Sequence, residues 1–270
     1  DFVIENGSIP LCTAWESSSL EKLEKYGLEA YKVASADLTN LPFINDLIST
    51  NKPLILSTGM STEKEINKTV NLLNSRYASF ALLHCNSTYP APLKDINLNY
   101  INHLKREYKV PVGYSGHEKG IYVPIAAAAL GAQIIEKHIT LDPNMEGTDH
   151  KASITPAEFK EMTCAIRSVE RALGSSGPRK LTQGEMLNRE NLAKSIIAKK
   201  KISKGTIINL EMISYASPGS GLNPSESSKI LGRKATRDFS PGDLFYDSDI
   251  IAKEFHYKEY KFSKRYGIPV

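Results

Sequence analysis

The sequence has few cysteines, no long apolar run and little excess charge, and each shortage excludes a class of protein. Its three cysteines, Cys12, Cys85 and Cys164, stand in apolar surroundings without C-x-x-C spacing, which argues against a disulfide framework or a zinc knuckle. Neither an apolar run of about 18 residues nor a signal-peptide pattern is present. A net charge of +4, spread along the chain, argues against nucleic-acid binding. We therefore expect a cytoplasmic protein with no membrane and no nucleic-acid partner.

Short apolar runs alternate with helical patterns up to about Gly174. Each run is apolar enough for a strand that is buried on both faces. The six predicted strands cover residues 9–14, 30–35, 53–57, 80–85, 110–115 and 132–140. A side-chain oxygen followed three residues later by a carboxylate is typical of a helix start, and Gly174 is a suitable C-terminal cap. The predicted starts are Ser18 with Glu21, Thr62 with Glu65, and Thr155 with Glu158.

Regular strand–helix alternation indicates either a doubly wound sheet or a (β/α)8 barrel of the TIM type. No G-x-G-x-x-G turn follows any of the strands, which disfavours the dinucleotide-binding version of the doubly wound sheet. We therefore predict an α/β fold built as a TIM-type barrel, with its first two βα units absent from this sequence.

The pattern changes after the Ser/Gly/Pro stretch at residues 175–178. Two segments, 202–208 and 239–245, share one Gly turn in the same register, which predicts a small pseudo-symmetric β-rich module. The predicted organisation is a partial barrel over 1–176, a linker over 177–192, the β-rich domain over 193–252 and a C-terminal tail over 253–270.

Polar residues gather at the predicted strand ends, where the strands of a barrel converge on one open mouth. Lys32 lies in a buried strand, and hydroxyl groups stand at the ends of the others, which suits a phosphate or phosphoenolpyruvate group. The alternative for each single hydroxyl is that it caps the following helix.

Two histidines, His117 and His138, end consecutive strands and could share a divalent metal. Two nitrogens with oxygen donors nearby favour Mn²⁺ or Mg²⁺ with open water positions over a closed structural zinc. The alternative is a pair of hydrogen-bonded core histidines. In the loop after the last strand, Asp149 could bind sugar hydroxyls or belong to a solvated Gly turn.

Five stretches of the chain resemble the N-acetylneuraminate (sialic acid) synthase family, which includes legionaminate and pseudaminate synthases. They are residues 30–35 (AYKVAS), 53–60 (PLILSTGM), 83–90 (LHCNSTYP), 112–118 (VGYSGHE) and 135–142 (IEKHITLD). The second module is similar to the antifreeze-like (SAF) domain of that family. The resemblance implies a barrel whose first two βα units precede the residues given, and a homodimer in which the SAF domains are exchanged.

The resemblance also implies a reaction and a set of site residues. Phosphoenolpyruvate would condense with open-chain N-acetylmannosamine or a related N-acetylated aminosugar, giving a sialic (nonulosonic) acid and phosphate. His117 and His138 would ligate Mn²⁺, and Asp37 would order metal-bound water in place of the glutamate common in the family. The residues expected around phosphoenolpyruvate are Thr13, Lys32, Ser35, Ser57, Ser87 and Ser115, while Tyr89 and Asp149 would meet the sugar.

Besides Asp37, two positions depart from the family pattern. Ser87 replaces a frequent asparagine, and Ser217 replaces the arginine that the SAF domain often sends to a partner's site. These changes leave the identity of the sugar open. The alternatives are another phosphoenolpyruvate-dependent aldol-type synthase, and a non-catalytic remnant whose second module binds a glycan or a partner. Without the first two βα units, we expect little activity from these residues alone.

Overall fold

The computed structural model describes residues 2–249, and the chain divides into two compact units, Asp1–Ser176 and Gly177–Val270. The predicted tail over 253–270 lies outside the described residues. Among the helices of the described part, none has the length and apolar character that a membrane crossing requires.

The first unit is built on six parallel strands that follow one another in chain order, each hydrogen-bonded to the next. This order is the one that a (β/α)8 barrel uses, so the predicted α/β architecture is confirmed. The strands are β1 Cys12–Thr13, β2 Tyr31–Val33, β3 Leu54–Ser57, β4 Phe80–Cys85, β5 Val112–Gly116 and β6 Ile135–Lys137.

Helices precede, connect and follow these strands. Thr62 and Thr155 start their helices with reciprocal capping boxes to Glu65 and Glu158, as predicted. Ser18 does not start a helix in this way: the helix begins at Ser17, its N-cap is Glu16, and no side chain caps it. The helices are α1 Phe2–Glu5, α2 Ser17–Glu24, α3 Leu41–Ser49, α4 Glu63–Ser75, α5 Tyr100–Tyr108, α6 Tyr122–Ala129 and α7 Pro156–Leu173.

The central and edge strands of the sheet differ in burial. Every residue of β4 and β5 is buried, whereas the residues of β1 and β6 are only partly buried. Among the described residues, β1 pairs only with β2 and β6 only with β5. The prediction that all six strands are buried on both faces is therefore wrong for the two edge strands, which lack a neighbour on one side.

The second unit begins with a helix that the sequence analysis did not predict. Helix α8, Gln183–Leu192, lies within the range predicted as a linker and is capped by a box between Thr182 and Glu185. An antiparallel pair follows, β7 Ser195–Ala198 and β8 Ile213–Ala216. Its core contains Ile196, Ile202, Ile208, Phe239 and Phe245.

Backbone hydrogen bonds give the two copies of the Gly turn the same surroundings. Ile202 and Phe239 exchange both bonds of an antiparallel bridge, at 2.9 and 2.8 Å. The amide of Gly205 donates to Ala235 and that of Gly242 donates to Ala198, both at 2.8 Å. Both glycines have a positive φ, 85° and 93°, which favours glycine over other residues. The repeat seen in the sequence is thus a structural pseudo-two-fold.

Candidate active site

A cleft of about 700 Å³ opens at the carboxyl ends of the parallel strands. Ten of the eleven predicted site residues line it, from all six strands and the loops that follow them. They are Thr13, Lys32, Ser35, Ser57, Ser87, Tyr89, Ser115, His117, His138 and Asp149. The eleventh, Asp37, is not among the lining residues. The structure therefore brings together nearly all the side chains that strand-end position and the family resemblance predicted.

One side of the cleft carries a lysine held by neighbouring strands. The Lys32 ammonium donates to the Ser57 hydroxyl at 2.8 Å and to the Val33 carbonyl at 2.9 Å. Glu136 Oε1 lies 3.7 Å away. Burial lowers the pKa of Lys32, and the attraction of the Glu136 carboxylate partly opposes this shift. The result is a positive charge beside short hydroxyl donors.

Gly59 allows these hydroxyls to lie close together. A Cβ atom at this position would come within 2.7 Å of Ser35 Oγ and closer still to Ser87 Oγ. Either serine side chain would have to shift to make room for a Cβ, so glycine lets the backbone after β3 pass close to both hydroxyls. Hydroxyl donors from β2, β3 and β4 therefore converge on the same side of the cleft.

The other side of the cleft carries two imidazoles. His117 and His138 are each the residue that follows its strand, and their ring centroids lie 5.2 Å apart at an interplanar angle of 61°. His117 Nδ1 donates to the Asn86 carbonyl at 2.7 Å, since a carbonyl can only accept. His117 Nε2 is therefore the acceptor nitrogen, and the Tyr89 hydroxyl donates to it at 2.9 Å. This lone pair points into the cleft.

The surroundings of both imidazoles favour the neutral form over the charged form. Burial is the main cause that lowers the pKa of each ring, and for His138 the neighbouring His117 lowers it further. Asp149 Oδ2 lies 3.8 Å from His138 Nδ1 and acts in the opposite direction. Two neutral rings beside an anion-binding side give the cleft the donor set of a metal-assisted reaction on a phosphorylated substrate.

The chain matches the model of the NeuB family over residues 2–177 and that of the SAF domain over 193–251. It belongs to the NeuB family. The N,N'-diacetyllegionaminic acid synthase of Campylobacter jejuni is 39% identical over 87% of this chain and 71% of its own length. The human N-acetylneuraminate-9-phosphate synthase is 34% identical over 85% of this chain and 64% of its own length.

A solved structure has the same architecture. The spore coat polysaccharide biosynthesis protein E of Chromobacterium violaceum superposes with a TM-score of 0.71 and 26% identity, covering 91% of this chain and 74% of the other. The resemblance noted from the five sequence stretches is thus confirmed.

The donor set fits a metal with few protein ligands. In the part of the chain that the structure describes, no three His, Cys, Asp or Glu side chains are grouped so that they could hold an ion together. His117 and His138 instead supply two neutral nitrogens, and the Nδ1 bond to a carbonyl that His117 makes is the usual orienting bond of a metal-binding histidine. Such a pair suits the metal ion of a NeuB family protein if that ion keeps coordination positions open for oxygen ligands.

Asp37 is separated from this donor set. Its carboxylate is buried, Oδ1 accepts from Asn40 Nδ2 at 3.2 Å, and Oδ2 has no hydrogen-bond partner among the described residues. The water-ordering role expected for it stays a prediction.

Two residues of the cleft were missed in the sequence. Glu136 accepts from the Ser115 hydroxyl at 2.7 Å and faces Lys32. The sequence did contain a signal for Glu136: residues two apart in a strand point to the same face, and Glu136 lies two residues before His138. Cys85 was expected in apolar surroundings, but its sulfur lies 3.7 Å from both Ser35 Oγ and His117 Nδ1. Polar contacts from neighbouring strands are not visible in the local sequence.

Proposed function

We propose that this NeuB family protein condenses phosphoenolpyruvate with an N-acetylated aminosugar, N-acetylmannosamine or a close relative, to give a nonulosonic acid and phosphate. One observation carries the proposal: the lysine with its hydroxyls and the pair of neutral imidazoles open into the same cleft. The named relatives support it, since both are synthases of nonulosonic acids.

The lysine side of the cleft would hold phosphoenolpyruvate. Lys32 neutralises part of the negative charge, and the hydroxyls of Thr13, Ser35, Ser57, Ser87 and Ser115 donate to the phosphate and carboxylate oxygens. Fixing the anion on this side directs the methylene carbon of phosphoenolpyruvate towards the imidazole side.

The imidazole side would hold the sugar aldehyde. His117 Nε2, in place of its bond from Tyr89, and His138 would hold a Mn²⁺ or Mg²⁺ ion, which when bound would supply Lewis-acid chemistry to the aldehyde oxygen. Tyr89 and Asp149 stand beside the two rings, where they can contact sugar hydroxyls. The new C–C bond forms between the methylene carbon and the aldehyde carbon. Water then adds at C2 of the former phosphoenolpyruvate, with Asp37 assigned to order it, and the C–O bond to phosphate breaks.

A substrate panel tests the reaction. The full-length protein, with the two βα units that the family resemblance implies, is given phosphoenolpyruvate, Mn²⁺ and one of N-acetylmannosamine, a diacetylated aminosugar, arabinose 5-phosphate or erythrose 4-phosphate. Phosphate release is expected only with an N-acyl aminosugar. Release with a sugar phosphate instead would replace the proposal by another aldol-type synthase, and no release in any arm would favour a binding role.

The metal assignment has its own pair of variants. His117→Ala should abolish phosphate release and weaken Mn²⁺ binding measured by electron paramagnetic resonance. His103→Ala is the matched control, because His103 is a partly exposed histidine on α5 that pairs with Glu63 outside the cleft. Equal turnover in His117→Ala and the unmodified protein would contradict the assignment.

The proposal extends to assembly and location. A catalytic domain over 1–176 and a SAF domain over 193–252 would form a homodimer by exchange of the SAF domains, in the cytoplasm where phosphoenolpyruvate is made. The family resemblance supports this arrangement. Light scattering of the purified protein should give twice the mass of the chain, and a monomer at assay concentration would contradict it.

A further inference from the structure

A buried ion pair lies behind the two imidazoles. The side chains of Glu118 and Lys137 are completely buried, and Lys137 Nζ lies 3.0 Å from Glu118 Oε1. Lys137 also donates to the backbone carbonyl of Glu118. The Tyr114 hydroxyl donates to the other carboxylate oxygen at 2.5 Å. Both oxygens of Glu118 are thus satisfied, and the network links the end of β5 to the end of β6.

Side-chain alternation directs the side chains of this network away from those of Glu136 and His138, although Lys137 itself is among the residues that line the cleft. Successive residues of a strand point to opposite faces, so Glu136 and His138 share one face of β6 and Lys137 takes the other. On β5, Ser115 and His117 line the cleft, whereas Tyr114 is buried against Glu118. Each imidazole therefore stands next in sequence to one member of the ion pair.

Gly116 shows that the chain makes room for this pair. A Cβ atom at this position would lie 2.8 Å from both Glu118 Oε1 and Tyr114 Cε1, and 2.9 Å from Glu118 Oε2. The φ of this glycine is not in the left-handed region. Glycine is therefore favoured here by the space that a Cβ would occupy, and not by the backbone conformation.

The network does not have the properties of a nucleophile site. A lysine that forms a covalent bond with a carbonyl substrate needs an accessible amine, but the Lys137 side chain has no exposed surface and is bound to Glu118. Burial lowers its pKa, and the Glu118 carboxylate acts against that shift. An ion pair in the interior generally adds little stability over a well-packed apolar pair, so its place between the two histidines calls for another role.

We propose that Tyr114, Glu118 and Lys137 are positioning residues that fix the spacing and orientation of His117 and His138. The proposal rests on the metal-binding role given to the two imidazoles under the proposed function. The bonds between Glu118 and Lys137 hold the ends of β5 and β6 at a fixed separation, so that one nitrogen of each imidazole can reach the same ion. Outer contacts of this kind change metal affinity by about 10- to 100-fold in other metal proteins.

The first test replaces the ion pair by apolar residues of similar size. The double variant Glu118→Leu with Lys137→Met leaves no unpaired charge, so its thermal midpoint should fall only by the cost of the Tyr114 hydroxyl left without its acceptor. Its dissociation constant for Mn²⁺ should rise at least about tenfold. The matched control is Glu24→Leu with Lys52→Met, which removes an ion pair of 2.7 Å outside the cleft and should leave Mn²⁺ affinity unchanged.

A second measurement needs no metal. The centroids of the His117 and His138 rings lie 5.2 Å apart, so a nuclear Overhauser effect between their ring protons is expected in the metal-free protein. It should weaken or vanish in the double variant and persist in the control. If the unmodified protein failed to bind Mn²⁺, the proposed function would lose its metal, while this measurement would still decide whether the network positions the rings.

Two single variants with smaller changes test the proposal if the double variant fails to fold. Gly116→Ala keeps all three polar groups and displaces them, and Tyr114→Phe removes a single hydroxyl. Each should weaken Mn²⁺ binding by a smaller factor, about threefold or more, with less effect on the ring contact. Folded variants that bind Mn²⁺ as tightly as the unmodified protein, with the ring contact unchanged, would overturn the proposal.

Discussion

Replacing Lys32 by methionine removes the positive charge of the lysine side of the cleft and keeps most of its apolar stem. In the unmodified protein the ammonium donates to Ser57 Oγ at 2.8 Å and to Val33 O at 2.9 Å, and only 13% of the side chain is exposed. A bound phosphoenolpyruvate would accept from the same ammonium. The substitution should therefore weaken binding of this anion without disturbing the sheet.

The expected loss of binding free energy depends on the attraction between the ammonium and the anion and on the opposing effect of Glu136. A hydrogen bond to a charged group contributes about 1.5 to 3 kcal/mol net, and two unit charges about 4 Å apart attract by roughly 4 kcal/mol at an effective dielectric constant of 20. Glu136, 3.7 Å from the ammonium, already offsets part of this attraction. We expect a loss of about 2 to 3 kcal/mol, which is roughly a 30- to 150-fold rise in the dissociation constant.

Isothermal titration calorimetry with phosphoenolpyruvate at fixed ionic strength measures this change. Lys52→Met is the matched control, because Lys52 is also a half-buried lysine paired with a glutamate, Glu24, but lies outside the cleft. The control should bind as the unmodified protein does. A folded Lys32→Met variant whose dissociation constant stays within threefold of the unmodified value would refute the assignment of the anion side.

Three further outcomes are expected. Because burial lowers the pKa of Lys32 below its ordinary value of 10.5, the unfolded chain binds more protons between the two values. The contribution of Lys32 to the free energy of unfolding should therefore rise with pH in that alkaline window while phosphoenolpyruvate affinity falls, and urea titrations or calorimetry measure it as the difference between the unmodified protein and Lys32→Met. Thr155→Ala removes the capping box of α7 and should lower the free energy of unfolding by about 1 kcal/mol in urea, whereas Thr163→Ala, inside the same helix, should not. An equal loss in both would contradict the cap. Gly242→Ala, at a φ of 93°, should cost about 1 kcal/mol or more in thermal unfolding, and Gly184→Ala, where nothing lies within 4 Å, should be neutral or stabilising. Equal midpoints for the two glycine variants would refute the turn argument.

The parts of the fold that the sequence predicts are those with strong local signals. Phe80–Cys85 is apolar apart from His84 and is a strand over that whole range, because both of its faces are buried. Helix α8 was missed because it buries no residue and so has no apolar stripe. Its capping box, Thr182 with Glu185, was nevertheless visible in the sequence. Ser18 shows the converse, since a correct spacing of residues does not guarantee that the cap forms.

The site residues, like the elements of the fold, are predictable only where the local sequence carries a signal. His117 and His138 are predictable because they follow strand ends, and Lys32 because it is a charged residue in a buried strand; the ends of parallel strands meet at one edge of the sheet. The sequence does not predict the salt bridge of Lys32 with Glu136 or the bond from His117 to the Asn86 carbonyl, because each joins residues distant in sequence at a separation that only the strand register fixes. Most members of the cleft are thus predictable from the sequence, whereas the contacts that orient them are not.

The register of β6 makes those contacts mutually dependent. Glu136, Lys137 and His138 are consecutive and all three line the cleft, but alternation sends the side chains of the first and third to one face and buries the side chain of the second in the ion pair with Glu118. A slip of one residue against β5 would turn Lys137 into the cleft and bury the two other side chains. It would leave Glu118 without its cation, at the cost of an uncompensated buried charge. The pair that holds the imidazoles together thus also selects against the register that would separate them.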